Sequence, residues 1–353
     1  MTIPHGGNIQ STARKLGCRV EELIDMSGNL TPMTIVPGLL EAIREHLHEV
    51  AFLPESGSET LRELFAASRG LLADQVLAGN GTTEFIHDLP RNIETARAVV
   101  VNPTYSDYSL ASRWAGREVE SFALPPEEDF RLDYDRLART LRGNELVFLC
   151  NPNNPTAGVL DPAALHAFIA THPQSRFVVD ETYLPFVGEK SLLLFPLPEN
   201  LLVLRSFSKI YGIPGLRLGF LAGSAVLMQK MRARRRPWEV NRLAQVAGEF
   251  CLNRAGGYVE EVVRFVARER PLLAAGLAAL PGVRLFPGAA NFVLCRLEGE
   301  INAATLRDKL LARRIMIRNC ASFPGLDDRY FRVCLKQPEQ NKFFLETIAG
   351  ILK

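Results

Sequence analysis

The chain has 353 residues, enough for two domains or for one large α/β domain with a smaller companion. Its apolar fraction of 47% and charged fraction of 23% are those of a globular protein, and a net charge of +2 argues against a dedicated nucleic-acid binder. Six cysteines (Cys18, Cys150, Cys251, Cys295, Cys320, Cys334) lie scattered without C-x-x-C spacing, so neither a zinc site nor a disulfide framework is expected, and a reducing cytoplasm is the expected home.

In chain order, residues 1–8 lack the apolar stretch of a signal peptide. No later run approaches the ~18 apolar residues of a membrane span. Residues 1–40 have no place in a parallel sheet and are expected to pack on a small domain or on a partner subunit. His46 and His48, two apart on a predicted helix, point different ways, so no metal site is expected there. From residue 41 to 238, apolar β-branched runs alternate with helical spacing. Strands are predicted at 75–78, 97–101, 118–122, 146–150, 176–179, 201–204 and 218–222, with helices at 83–93, 106–114 and 162–171. Asp161 followed by Pro162 is a helix start. Runs that are apolar throughout, separated by helices, predict a mostly parallel, doubly wound sheet in a large α/β domain. The basic run 231–236 sits at a predicted helix end and reads as a solvated face.

The pattern changes after Trp238. A long helical region over about 239–280 is predicted to end at Pro281-Gly282. Strands at 283–286, 291–295, 315–318 and 331–335 then mix with helices at 302–313 and 338–352. This predicts a smaller α+β domain over 239–353.

Chemistry-bearing residues recur at the predicted strand ends. In Arg205-Ser206-Phe207-Ser208-Lys209, with Arg217 eight residues on, a lysine capable of condensing with an aldehyde lies among hydroxyl and guanidinium groups suited to a phosphate. An aldehyde and a phosphate on one molecule describe pyridoxal 5'-phosphate. Upstream, Gly79-Asn80-Gly81-Thr82-Thr83 offers a glycine turn and a helix start to an anion. Tyr105 can stack on a flat ring. Asn154, in Asn151-Pro152-Asn153-Asn154-Pro155-Thr156, can donate to a phenolate oxygen. Asp180 ends a buried strand, where a carboxylate is costly without a cation such as a protonated pyridine nitrogen. Each motif also has a purely structural reading as a turn, a buried aromatic or a cap. Their joint order is what points to the cofactor.

With these residues in this order, nearly the whole chain resembles the fold-type I pyridoxal phosphate enzymes, and within them the class II aminotransferase-like branch that includes histidinol-phosphate aminotransferase. The resemblance implies that Lys209 carries the cofactor as a Schiff base, that Asp180 meets the ring nitrogen, and that Asn154 and Tyr183 reach the 3' oxygen. Lys209, Asp180 and Tyr183 would be the catalytic groups. Tyr105 would stack on the ring, and Ser206, Ser208, Arg217 and Gly81-Thr82-Thr83 would hold the phosphate. It also implies a homodimer with sites at the interface.

Further strings are similar to the threonine-phosphate decarboxylases of cobalamin biosynthesis: His5-Gly6-Gly7-Asn8-Ile9, Ile213-Pro214-Gly215-Leu216-Arg217-Leu218-Gly219, Pro237-Trp238-Glu239-Val240-Asn241 and the run from Arg318 through Phe323 to Leu326. That likeness implies decarboxylation of L-threonine O-3-phosphate, a small phosphorylated amino acid, with His5, Asn29, Asn154, Arg318 and Arg332 binding the substrate. The alternative is an aminotransferase acting on histidinol phosphate or a related amino acid. The choice depends on which bond at Cα stands perpendicular to the cofactor ring, the carboxylate or the hydrogen. The chain departs from the branch twice: Leu53 replaces a tyrosine that would reach a phosphate in the other subunit, and Ala157 interrupts Asn-Asn-Pro-Thr-Gly, which predicts a wider turn with Asn154 still in place.

Overall fold

The computed structural model describes residues 6–188 and 190–353. Strand β1 (Ile24–Asp25) stands apart from the large sheet. The next seven strands form that sheet: β2 (Val76–Gly79), β3 (Arg97–Asn102), β4 (Glu118–Ala123), β5 (Glu145–Cys150), β6 (Arg176–Asp180), β7 (Leu201–Ser206) and β8 (Gly219–Gly223), in the order β2-β8-β7-β6-β5-β3-β4. Neighbours β7-β6-β5-β3-β4 are parallel, and β8 runs antiparallel to both β7 and β2.

The period-two alternation of the strands splits the core between the two faces. Val99, Val147, Val179 and Val203 face one side, with Phe65 and Leu165 of helices Glu59–Arg69 and Pro162–Ala170. Val100, Phe148, Val178 and Leu202 face the other, under Phe85 and Tyr108 of helices Thr82–Asn92 and Asp107–Trp114. Every residue of β3, β5 and β7 is buried, as a sheet covered by helices on both faces requires.

The carboxyl-terminal strands β9 (Val283–Leu285), β10 (Phe292–Leu297), β11 (Ile315–Met316), β12 (Arg318–Asn319) and β13 (Tyr330–Cys334) behave differently. Four of them make an antiparallel sheet in the order β12-β13-β10-β9, while β11 pairs in parallel with β1. The single strand predicted over 315–318 is thus two short ones serving different partners. The helical region predicted over 239–280 consists of two helices, Arg242–Arg254 and Gly256–Ala278, broken at Ala255.

The amino-terminal segment after β1 ties these parts together. Met26 O accepts from Cys334 N at 2.8 Å, Leu30 O from the Asn291 amide at 2.8 Å, and Thr31 N donates to Lys209 O at 2.9 Å. Among the described residues, no helix is long and apolar enough to cross a membrane.

Candidate active site

The parallel strands β2, β3, β5, β6 and β7 all deliver their carboxyl ends to one edge of the sheet. These ends carry Gly81, Tyr105, Asn154, Asp180 and Ser206. Because β8 is reversed, its start lies on that same edge, and this brings in Arg217, just upstream of Gly219. One pocket gathers Thr82, Thr83, Tyr105, Asn154, Asp180, Tyr183, Ser206, Ser208, Lys209 and Arg217, and Asn29, Arg318 and Arg332 line its other wall. Of the residues singled out in the sequence, His5 lies outside the described residues.

At one end the pocket is shaped for an anion. Helix Thr82–Asn92 starts there with no side chain capping its first N–H groups, next to Gly81 in a left-handed conformation (φ 76°). A Cβ at Gly81 would collide with the Arg217 guanidinium, and one at Gly219 would sit 2.6 Å from Thr82 N. Ser206 Oγ accepts from Ser208 N at 3.3 Å and caps the single turn Phe207–Ile210 that carries the lysine. Arg217 Nη1 reaches Ser208 Oγ at 3.4 Å.

Lys209 is buried. Burial first, then the positive charges of Arg332 and Arg217, lower its pKa to about 8. Asp180 is also buried, and desolvation raises its pKa; hydrogen bonds from Thr182 and Tyr108 and the charge of Lys209 oppose that rise. Burial likewise pushes the hydroxyls of Tyr183 and Tyr105 well above their ordinary range, so both stay protonated.

The opposite wall is cationic. Arg332 and Arg318 pair across β13 and β12. Arg332 donates to Asn154 Oδ1 and, at 2.7 Å, to Ser27 O, while its Nε has no partner among the described residues. Arg318 donates to Ser322 Oγ at 2.7 Å and lies over the Phe323 ring at 5.2 Å. Neither amide atom of buried Asn29 forms a hydrogen bond among the described residues. Gly6 completes the mouth, where a Cβ would overlap Ser27 O and lie 3.5 Å from Arg318 Cδ.

At both departures from the branch the local structure is specific. Leu53 is 73% exposed and lies outside the pocket. Ala157 takes a left-handed φ of 59° and donates to Asn153 O at 2.7 Å, so the extra residue is absorbed within the loop and Asn154 faces the pocket. The basic run 231–236 is not a uniformly solvated face. Arg236 is exposed, but Arg235 folds back onto Glu84 (2.8 Å), Glu239 and the Phe85 ring, where Glu84, Asp88 and Glu239 converge within 4.8 Å of one another. Sequence reasoning missed Tyr108, Thr182 and Ser27. Tyr108 follows Tyr105 by three residues at a helix start, a spacing that places both on one face. Ser27 left no comparable signal.

Residues 21–348 match the family described as aminotransferase class I and II. The chain is 33% identical over 354 residues to a threonine-phosphate decarboxylase of Salmonella typhimurium, covering 99% of this chain and 96% of that one. It is 32% identical over 355 residues to a histidinol-phosphate aminotransferase of Methanothermobacter thermautotrophicus, covering 99% and 94%. The crystal structure of the histidinol-phosphate aminotransferase from Clostridium acetobutylicum superposes with a TM-score of 0.87 at 27% identity, covering 93% and 99%. Members of this family depend on pyridoxal phosphate, and the residues present fit it: an uncapped helix start beside Arg217 for a phosphate, a lysine of lowered pKa for an aldehyde, and a buried carboxylate for a ring nitrogen. The chain therefore belongs to the aminotransferase class I and II family and is a pyridoxal phosphate-dependent enzyme.

Proposed function

We propose that this enzyme decarboxylates L-threonine O-3-phosphate to (R)-1-amino-2-propanol O-2-phosphate and CO2. The observation that carries the reading is the seating of Gly6 against Ser27 and Arg318, which makes this residue part of the pocket wall. A substrate with two anionic ends suits the two arginines of that wall, and removing one partner of a desolvated guanidinium–phosphate pair costs about 2–5 kcal/mol. The relative from Salmonella typhimurium bears the name of this activity.

Bound in this pocket, pyridoxal phosphate supplies the electron sink for bond breaking at Cα. Ser206, Ser208, Arg217 and the Gly81-Thr82-Thr83 turn hold its phosphate, Lys209 its aldehyde carbon, Asp180 its ring nitrogen, Asn154 and Tyr183 its phenolic oxygen, and Tyr105 one ring face. Arg318 and His5 take the substrate phosphate. Arg332 and Asn29, with Asn154, orient the substrate so that its carboxylate stands perpendicular to the ring. Freed from the aldehyde carbon by the substrate amine, Lys209 Nζ would deliver a proton to Cα in place of the departing CO2. We further infer that two copies associate through the exposed apolar run Leu47, Val50, Phe52 and Leu53.

Incubation with L-threonine O-3-phosphate and no keto acid is expected to release CO2. Strict dependence on 2-oxoglutarate, with no CO2, would overturn the decarboxylase reading in favour of transamination of histidinol phosphate or a related amino acid.

A further inference from the structure

Asp180 is gripped at both oxygens by groups other than Lys209. The Tyr108 hydroxyl donates to Oδ2 at 2.8 Å, and Thr182 N donates to Oδ1 at 2.9 Å. Packing that does not involve the hydroxyl fixes the Tyr108 ring. It stacks on Phe148 at 5.1 Å with an interplanar angle of 11°, and meets Tyr105 edge-on at 5.7 Å. Burial, then the charge of Asp180, raises the phenol pKa well above its ordinary value, so the hydroxyl keeps its proton. The Cys150 thiol closes the same corner. Burial and Asp180 raise its pKa too, and it donates to Pro152 O at 3.3 Å. The titratable groups around Asp180 are thus Tyr108, Cys150 and Lys209, with Tyr105 and Tyr183 also in its field.

We propose that Tyr108 sets the proton affinity of Asp180, keeping the carboxylate a weak enough base to leave the shared proton on the pyridine nitrogen of the bound cofactor. The inference rests on the role proposed above for Asp180. Two bases compete there for one proton. A hydrogen bond donated to the carboxylate stabilises its anionic form and lowers its proton affinity. Without that donor, burial would be opposed only by Thr182 and Lys209, the proton would be drawn toward Asp180, and the ring would withdraw electrons from Cα less well. Tyr108 is a positioning residue: it acts through Asp180 and touches no reacting atom.

Tyr108→Phe removes the hydroxyl and keeps the ring. In the cofactor-free protein, a carbon-13 titration of the Asp180 carboxyl is expected to show its midpoint raised by about 1–2 pH units, the worth of one hydrogen bond to a buried charge. In the loaded enzyme, the nitrogen-15 resonance of ring-labelled cofactor should move toward that of unprotonated pyridine. A folded variant with both signals unmoved overturns the proposal. So does a Tyr108→Phe effect on the ring nitrogen that persists in an Asp180→Asn background. If Asp180→Asn alone leaves the ring nitrogen unchanged, the role of Asp180 itself is wrong, a distinguishable failure. Should Tyr108→Phe not fold, trifluorotyrosine at position 108, a stronger donor, must lower the Asp180 midpoint; an unchanged midpoint overturns the proposal equally.

Discussion

An enclosed amine near two arginines is an uncomfortable cation, and that discomfort suits Lys209 to the role of nucleophile proposed for it. Its pKa of about 8 leaves a useful fraction of free amine near neutrality. The sign is definite: below the lowered pKa the amine is protonated and inert, above it the amine is free. Capture of pyridoxal phosphate by the cofactor-free protein should rise about tenfold per pH unit between about pH 6 and 7 and level off above about 8. An ordinary surface lysine would still be gaining at about pH 10, and stopped-flow absorbance across that range tells the two apart. Lys209 and Asp180 were legible in the sequence because each stands at the carboxyl end of an apolar strand, at a sheet edge. Tyr108 was not, since a tyrosine inside a helix looks like core until its hydroxyl is seen to meet Asp180.

At the scale of elements, the reversed strand β8 matters most. In a fully parallel sheet the residue just before a strand lies at the edge opposite the ligand groups. Reversal of β8 puts Arg217 on the ligand edge, beside Ser208 and the turn at Gly81. The direction of an apolar run is invisible in its composition, so only the pairing reveals it. Helix ends were more readable. Asp161 accepts from Ala164 N at 2.8 Å with Pro162 at the first helical position, as the sequence predicts. Asp161→Ala should lower unfolding stability by about 1 kcal/mol in a urea titration and leave kcat/KM unchanged. The break at Ala255 and the split of 315–318 were unreadable because local spacing is helical or extended on both sides, and partners far along the chain impose each interruption.

For the whole molecule, the segment after β1 bridges the small sheet and the lysine turn through hydrogen bonds at Met26, Leu30 and Thr31. Leu47, Val50, Phe52 and Leu53 are each more than half exposed, and the proposed association would cover them. Phe52→Glu with Leu53→Glu should halve the sedimenting mass and keep the far-ultraviolet circular dichroism of the parent. A parent that already sediments as one chain, or a variant that still sediments as two, would remove the association surface from this face.

The chemistry available to this protein was set by residue order: one lysine and one aspartate at the ends of apolar strands, an arginine just before another, and glycines where a backbone must come close. Such features are local, and local sequence carries them. How the charges are shared was decided by tertiary structure, because the partners are distant in the chain. Tyr108 and Asp180 are 72 residues apart, Asn154 and Arg332 178, and Ser27 and Arg332 305. No periodicity spans such separations; only the closed fold, by excluding water, turns these neighbours into strong and specific interactions.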